Sequence, residues 1–291
     1  MTTVFFNGQY IDRSEAHVSV DDRGFVFGDG VYEVIRSYGG HLFALDEHLA
    51  RLSYGLRQLS ISGVNAESFR DVTVKLLAAN ALSNADATIY IQVTRGVAPR
   101  RHWFPDHTTP PTTYAAAARI IKRGDAGEGI TAIPVPDMRW ARCDIKSLNI
   151  LANCLAMQRA RDEGGTDAIL IKDGVALEGA AASLFGVFDG HVRTAPLTNH
   201  ILPGITRQVA LRLCREAEIP VAERVIFEHE LPLADELFLA GTTVEIMPIT
   251  QVGTRVVGRG QPGPVTQRLG ALFASLTKPA SVDHAPVPSN R

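Results

Sequence analysis

Apolar residues along the 291-residue chain recur with two different periods, and the switching between them predicts a mixed α+β fold. The opening run Val4–Ile11 is split by Asn7-Gly8, a pair suited to the positive-φ turn of a two-residue hairpin. A strand is predicted over Val31–Tyr38, with Gly39-Gly40 turning the chain into His41–Leu45. From Asp46 to Leu59 the spacing changes. Leu49, Leu52, Leu56 and Leu59 fall at three- and four-residue steps, which predicts a helix. A further helix is predicted over Ala66–Asn80, and the β-rich run Thr88–Thr94 predicts a strand. A proline-rich loop fills Pro99–Pro111, and a strand pattern follows from Thr112.

The second half repeats the alternation. Ile130–Pro136 reads as a strand, and Ser147–Glu163 as a helix stopped by Gly164-Gly165. Two hairpins are predicted over Asp167–Gly179 and Ser183–Ala195, turning at Asp173-Gly174 and Asp189-Gly190. A helix follows over Thr206–Ala217, then a strand pair within Glu236–Thr243 and Ile249–Val257. Glycine and charge concentrate near Ala118–Gly129. The expected division is therefore a first domain over 1–118, a linker over 119–129 and a second domain over 130–278. The tail 279–291 lacks periodicity and is expected to be disordered.

Composition narrows the function. A formal net charge of -2 gives no bulk attraction to nucleic acid or to an anionic membrane. No apolar run is long enough to span a bilayer, and the first residues lack the basic-then-apolar pattern of a secretory signal. Cys143, Cys154 and Cys214 are widely separated and odd in number, so they form neither a zinc pattern nor a disulfide framework; a cytoplasmic home is expected. The histidines show no metal-ligand spacing on a shared helix. Gly28-Asp29-Gly30 resembles part of a dinucleotide fingerprint, but Glu33 occupies the third glycine's place and no βαβ unit surrounds it. Ser147 and Ser183 lie in no nucleophile-elbow motif.

Some residues carry candidate chemistry. Lys146 sits among Ile145, Leu148 and Ile150; a partly desolvated lysine has the lowered pKa that a Schiff-base nucleophile needs. Spacing alone favours a helix-start lysine that snorkels to water. Glu178 ends a strand before the small residues Gly179, Ala180, Ala181 and Ala182, which leave room for a ligand against the backbone; taken alone, it reads first as a hairpin-edge glutamate facing solvent. Pro203-Gly204 turns the chain into a helix at Ile205-Thr206. Free N–H groups, a glycine and a hydroxyl there suit a phosphate, as they suit an ordinary capped helix. A similar small, hydroxyl-rich turn occurs at Gly241-Thr242-Thr243.

Read together, DDRGFVFGDGVYEVIR, DEHLARL, IQVTRGVAPRRHWFP, RWARCDIKSLN, LEGAAASLFGV, LPGITR and GTTVEIMPI stand in an order and spacing that resemble the fold-type IV aminotransferases, and within them the D-amino-acid aminotransferases. The resemblance runs from the first strand to about Leu276. It implies a two-domain α+β enzyme with pyridoxal 5'-phosphate at the domain interface. It further implies Lys146 as the Schiff-base lysine and Glu178 as the acid paired with the pyridine nitrogen. Arg51, Gly204, Ile205, Thr206 and Thr242 would bind the phosphate, and Leu202 would pack on one ring face. Glu33 and His48 would support Arg51.

The same resemblance casts Tyr32, Arg100 and His102 as a trap for the substrate carboxylate. Arg100 and His102 would reach the neighbouring subunit's site, which implies a homodimer. The expected reaction moves the amino group of a D-amino acid, D-alanine first, to 2-oxoglutarate. Rivals sharing the cofactor are a branched-chain L-amino-acid aminotransferase, an (R)-amine transaminase and aminodeoxychorismate lyase. A catalytically silent cofactor-binding protein is a rival of another class. The chain departs from the family pattern at Arg101, at the alanines after Glu178 and at Gly241, where related enzymes carry more hydroxyls.

Overall fold

The computed structural model describes residues 2–120 and 126–278. The first half is an antiparallel sheet of β1 (Thr3–Phe6), β2 (Gln9–Asp12), β3 (Gly30–Tyr38), β4 (His41–Leu42), β5 (Ala87–Thr94) and β6 (Thr112–Arg119). Their order is β2-β1-β6-β5-β3-β4. Asn7 and Gly8 take φ 46° and 87°, the left-handed turn that the sequence predicts. A short helix α1 (Arg23–Phe27) leads into β3, and α2 (Leu45–Gln58) and α3 (Phe69–Ala79) cover the sheet. The leucines spaced along α2 explain this packing. Leu49 and Leu52 are buried against Ile35, Ile89, Ile91, Phe69 and Leu76, and each such side chain contributes ~1.5–3 kcal/mol by leaving water. The helix predicted over Ala66–Asn80 divides into a single 3-10 turn at Ala66–Ser68 and then α3.

The second half is built on ten strands: β7 (Ile130–Pro136), β8 (Asp167–Lys172), β9 (Val175–Gly179), β10 (Ser183–Phe188), β11 (His191–Thr194), β12 (Val221–Glu223), β13 (Ile226–Phe227), β14 (Glu236–Gly241), β15 (Glu245–Val252) and β16 (Arg255–Val256). Strands β10-β14-β15-β7-β8-β9 follow one another, and a single pairing of Glu178 with Ser183 joins β9 back to β10. The sheet thereby closes into a ring. Both predicted Asp-Gly turns are present, with Asp173 and Asp189 at φ 50° and 49°. Helix α4 (Leu151–Asp162) packs on β7 and β8, while α5 (Ile205–Glu216) and α6 (Pro264–Thr277) pack on one another.

Three expectations change. The helix predicted from Ser147 begins at Leu151. The residues before it run beside the free stretch of β3: Tyr32 N–H donates to Lys146 O, and Leu148 N–H donates to Gly30 O, both at 3.0 Å. Open β3 groups thus claim backbone that local periodicity assigns to a helix. β15 begins at Glu245, four residues before the predicted strand, through a left-handed turn at φ 56°. Helix α6 is not predicted, although Pro264 stands in its first turn and Leu269 and Phe273 are buried four residues apart. The expected disordered tail, and residues 121–125 of the expected linker, lie outside the described residues.

Candidate active site

A cavity of about 440 Å³ opens where the two halves meet. The first half supplies Tyr32 from β3 and Arg51 from α2; the second supplies Lys146, Glu178, Leu202, Gly204, Ile205, Thr206 and Thr242. Residues far apart in sequence thus share one wall.

Arg51 is held by protein groups on three of its nitrogens. Its Nε and Nη2 donate to the two oxygens of Glu33, at 2.7 and 2.9 Å, and its Nη1 donates to Pro203 O at 3.0 Å. His48 Nδ1 lies 2.8 Å from the same Glu33 carboxylate. Burial alone would raise the Glu33 carboxyl, but the Arg51 charge and the hydrogen bonds from Arg51 and His48 outweigh it and hold the group at about 2. The bond to Pro203 O sets Arg51 beside the start of α5. That helix begins after Gly204 with no side-chain cap, so its first N–H groups keep free valence toward the cavity. A Cβ on Gly204 would lie 2.8 Å from Ser183 Oγ, so a larger residue there would push the Ser183 hydroxyl aside at the entry to α5. Thr206 is buried in the same turn, and Thr242 approaches from the end of β14.

Lys146 is half-buried, and its Nζ stands 4.3 Å from the centre of the Tyr32 ring. The backbone bond from Tyr32 to Lys146 O fixes both residues together. Tyr32 in turn stacks on Tyr90, with centroids 5.8 Å apart. Cys143 lines the cavity too, but burial pushes its thiol up to about 11, which keeps it inert as a nucleophile.

Glu178 lies buried near the end of β9. One oxygen accepts from Leu202 N–H at 3.1 Å, and the other accepts from Arg139 Nη1. Arg139 is itself gripped by Asp137 through Nε at 3.0 Å and Nη2 at 2.8 Å, and it donates to His200 O. Burial pushes the Glu178 carboxyl above the usual range, while Arg139 and the Leu202 N–H oppose the rise. The sequence does not single out Arg139. It lies 39 positions from Glu178, and no local pattern joins them. The only cue was its place in the run that also carries Lys146.

Arg100 and His102 are not brought into this cavity within one chain. Both are exposed, on the loop between β5 and β6. The Arg100 guanidinium stands 5.4 Å from the Phe27 ring, and the His102 ring meets the edge of Phe27 at 6.2 Å.

The donor set fits pyridoxal phosphate at each end. Arg51, two threonines and an uncapped helix start suit a phosphate; a buried carboxylate suits a ring nitrogen; and a lysine amine stands in the same cavity. The small residues Ala180, Ala181, Ala182 and Gly241 line the wall and leave space beside the backbone.

Comparison with known proteins agrees. Residues 30–252 match the family described as amino-transferase class IV. The chain is 41% identical over 266 residues to D-alanine aminotransferase of Bacillus licheniformis, covering 91% of this chain and 94% of that one. It is 42% identical over 275 residues to the D-alanine aminotransferase of Staphylococcus haemolyticus, covering 94% and 97%. The solved branched-chain amino acid aminotransferase from Escherichia coli matches with a TM-score of 0.85 at 29% identity, covering 98% and 97%. The chain belongs to the class IV aminotransferase family.

Proposed function

We propose that this protein is a pyridoxal-phosphate-dependent D-amino-acid aminotransferase that moves the amino group of D-alanine to a 2-oxo acid such as 2-oxoglutarate. The observation that carries the reading is the meeting of Lys146, Glu178, Arg51 and the uncapped start of α5 in one cavity. The substrate follows from the curated relatives, which are D-alanine aminotransferases over nearly their whole length. The branched-chain enzymes share the fold at lower identity, so the fold alone does not choose the hand of the substrate.

Bound in the cavity, pyridoxal phosphate supplies an electron-accepting ring and stores the amino group between the halves of a ping-pong exchange. Arg51, Thr206, Thr242 and the N–H groups at Ile205 and Thr206 would hold its phosphate; Gly204 lets the chain pass close. Leu202 would pack on one ring face. Lys146 would carry the cofactor at rest, then take the proton from the substrate α-carbon and return it across the same face. Glu178 would hold a proton at the ring nitrogen, with Arg139 and Leu202 N–H fixing the carboxylate.

Tyr32, Arg100 and His102 form the proposed carboxylate trap. Arg100 and His102 would enter the cavity of a second copy, which makes the working unit a homodimer. Exposed apolar side chains support this, since Phe25 is 74%, Leu151 71% and Trp103 67% exposed. We place the two domains at 1–118 and 130–278, joined by 119–129, with the cofactor between them. Among the described residues no helix is long and apolar enough to cross a membrane; the scattered cysteines fit a cytoplasmic setting.

Two measurements test the reading. Borohydride reduction of the loaded protein followed by peptide mapping should label Lys146, and label on another lysine overturns that role. Arg100→Ala should weaken D-alanine use by ~1.5–3 kcal/mol, the scale of hydrogen bonds to a charged group. The Arg100→Ala/Arg101→Ala double variant guards against Arg101 replacing its neighbour. Survival of D-alanine turnover in the double variant, or a wild-type preference for L-amino acids, sinks the D-specific reading and leaves the family assignment standing.

A further inference from the structure

The loop bearing Arg100 and His102 is exposed, yet it is not loosely held. Arg23, at the start of α1, is buried, and its Nη1 donates to Arg101 O at 2.8 Å and to Trp103 O at 3.5 Å. Those two carbonyls flank His102. One guanidinium therefore grips the backbone on both sides of the histidine. Arg95, at the root of the loop, is buried, and its guanidinium stacks 3.5 Å from the centre of the Phe104 ring. Phe27, at the end of α1, underlies the Arg100 and His102 side chains. The root is tied as well: Arg23 N–H donates to Gly96 O, and Ala98 N–H donates to Asp21 O.

Two buried guanidiniums side by side repel unless a carboxylate is shared between them. Asp29 is that carboxylate. Its Oδ2 accepts from Arg23 Nε and from Arg95 Nε, each at 2.8 Å, and its Oδ1 accepts from Arg95 Nη2 at 2.9 Å. The Asp29 and Arg23 side chains are 9% and 4% exposed, so this pairing is little screened by water. The remaining Arg95 donors go to Ser60 O and Leu59 O at the end of α2. The helix that holds Arg51 and the loop that holds Arg100 are thus fastened to one ion cluster.

We propose that Arg23 and Asp29 are positioning residues for the substrate carboxylate: the Arg23–Asp29–Arg95 cluster sets the backbone of the loop so that Arg100 and His102 stand where a carboxylate is bound. The inference rests on the reading of Arg100 and His102 as the carboxylate trap. A bidentate guanidinium–carboxylate contact tolerates little angular error, so a loop that wanders loses affinity for the carboxylate while the proton-moving lysine stays in place.

The test uses the loaded enzyme, with propionate as a carboxylate probe that cannot react. Arg23→Gln and Asp29→Asn should each raise the inhibition constant of propionate and the KM for D-alanine about tenfold, the scale of one lost charged hydrogen bond. The kcat at saturating D-alanine should stay within about twofold, because the groups that act on the α-carbon are untouched. Hydrogen exchange of segment 97–106 should speed up in both variants. Arg23→Lys, which keeps the charge beside Asp29, should recover part of the affinity. If Arg23→Gln does not fold, Phe104→Leu removes the stacking on Arg95 from the loop side and should raise the same constants in the same order.

Arg100→Ala separates the two levels. If it leaves propionate and D-alanine unaffected, the trap reading fails and this inference fails with it. If it weakens both while Arg23→Gln, Asp29→Asn and Phe104→Leu do not, the trap stands and the positioning role is overturned. A fall in kcat with unchanged KM also overturns it.

Discussion

Glu33 is fully buried and touches no substrate, yet the state of its one carboxyl sets Arg51. Because the folded group is held at about 2 against an ordinary 4.5, its contribution is fully present above about 4.5 and is lost as the pH falls toward 2. The size of that contribution is on the order of 3 kcal/mol. Acid unfolding followed between pH ~5 and ~2 should therefore be blunted in Glu33→Gln, which has no such titration. The variant should also hold cofactor more weakly at neutral pH, because Arg51 loses its anchor. Unchanged acid sensitivity and unchanged cofactor retention would remove Glu33 from this role. Arg139 poses the converse case. Arg139→Met leaves Glu178 buried without its cation, so the carboxyl is driven neutral. Single-turnover α-proton removal should slow by about tenfold or more, the minimum for losing a charged contact that matters in the transition state, while cofactor content holds. Equal rates would show that Leu202 N–H alone suffices to set Glu178.

Helices and turns carry their own consequences. Helix α2, which presents Arg51, starts after Ala44 at φ 53° and ψ 39° with no side-chain cap. Alanine pays a steric penalty in that left-handed region that glycine does not. Ala44→Gly should raise stability by ~0.5–1 kcal/mol, read as a higher midpoint of thermal unfolding; a lower midpoint would mean that the site carries no such strain. The elements easiest to read in the sequence were those decided within a few residues. Asn7-Gly8, Asp173-Gly174 and Asp189-Gly190 fix their turns by local backbone preference, and the leucines of α2 fix its buried face. The start of α4 is not legible locally, because distant β3 groups, absent from any local window, take the hydrogen bonds of Lys146 and Leu148. Helix α6 gives a weak periodic signal because its buried face is narrow, only Thr266, Leu269 and Phe273.

Across the whole molecule the two halves are strapped together beside Thr242, at the end of the cavity where we place the phosphate. Arg36 and Tyr38, from β3, reach Glu245 across 207 and more positions, at 2.9 and 3.1 Å. Glu245 starts β15 immediately after the turn that bears Thr242. Glu245→Ala should lower stability by ~1–2 kcal/mol and speed loss of cofactor on dilution; retention at the wild-type rate would free the strap from any role in the phosphate site. At this scale the sequence was least transparent. The family motifs pointed to Lys146, Glu178 and Arg51, and the structure gathers those three. Arg139 and the Asp29 cluster escaped, because their meaning lies in pairs formed over long separations. The ring of strands has one more consequence, for synthesis. The first sheet is complete once Arg119 has left the ribosome, but β7 must wait for β15, since Ile130 pairs beside Ile249. Until then a growing chain carries an unpaired, apolar edge of the kind that invites mispairing and chaperone capture. Thr242 emerges just ahead of β15, so the proposed cofactor site stays incomplete until this late stage in the synthesis of the second half.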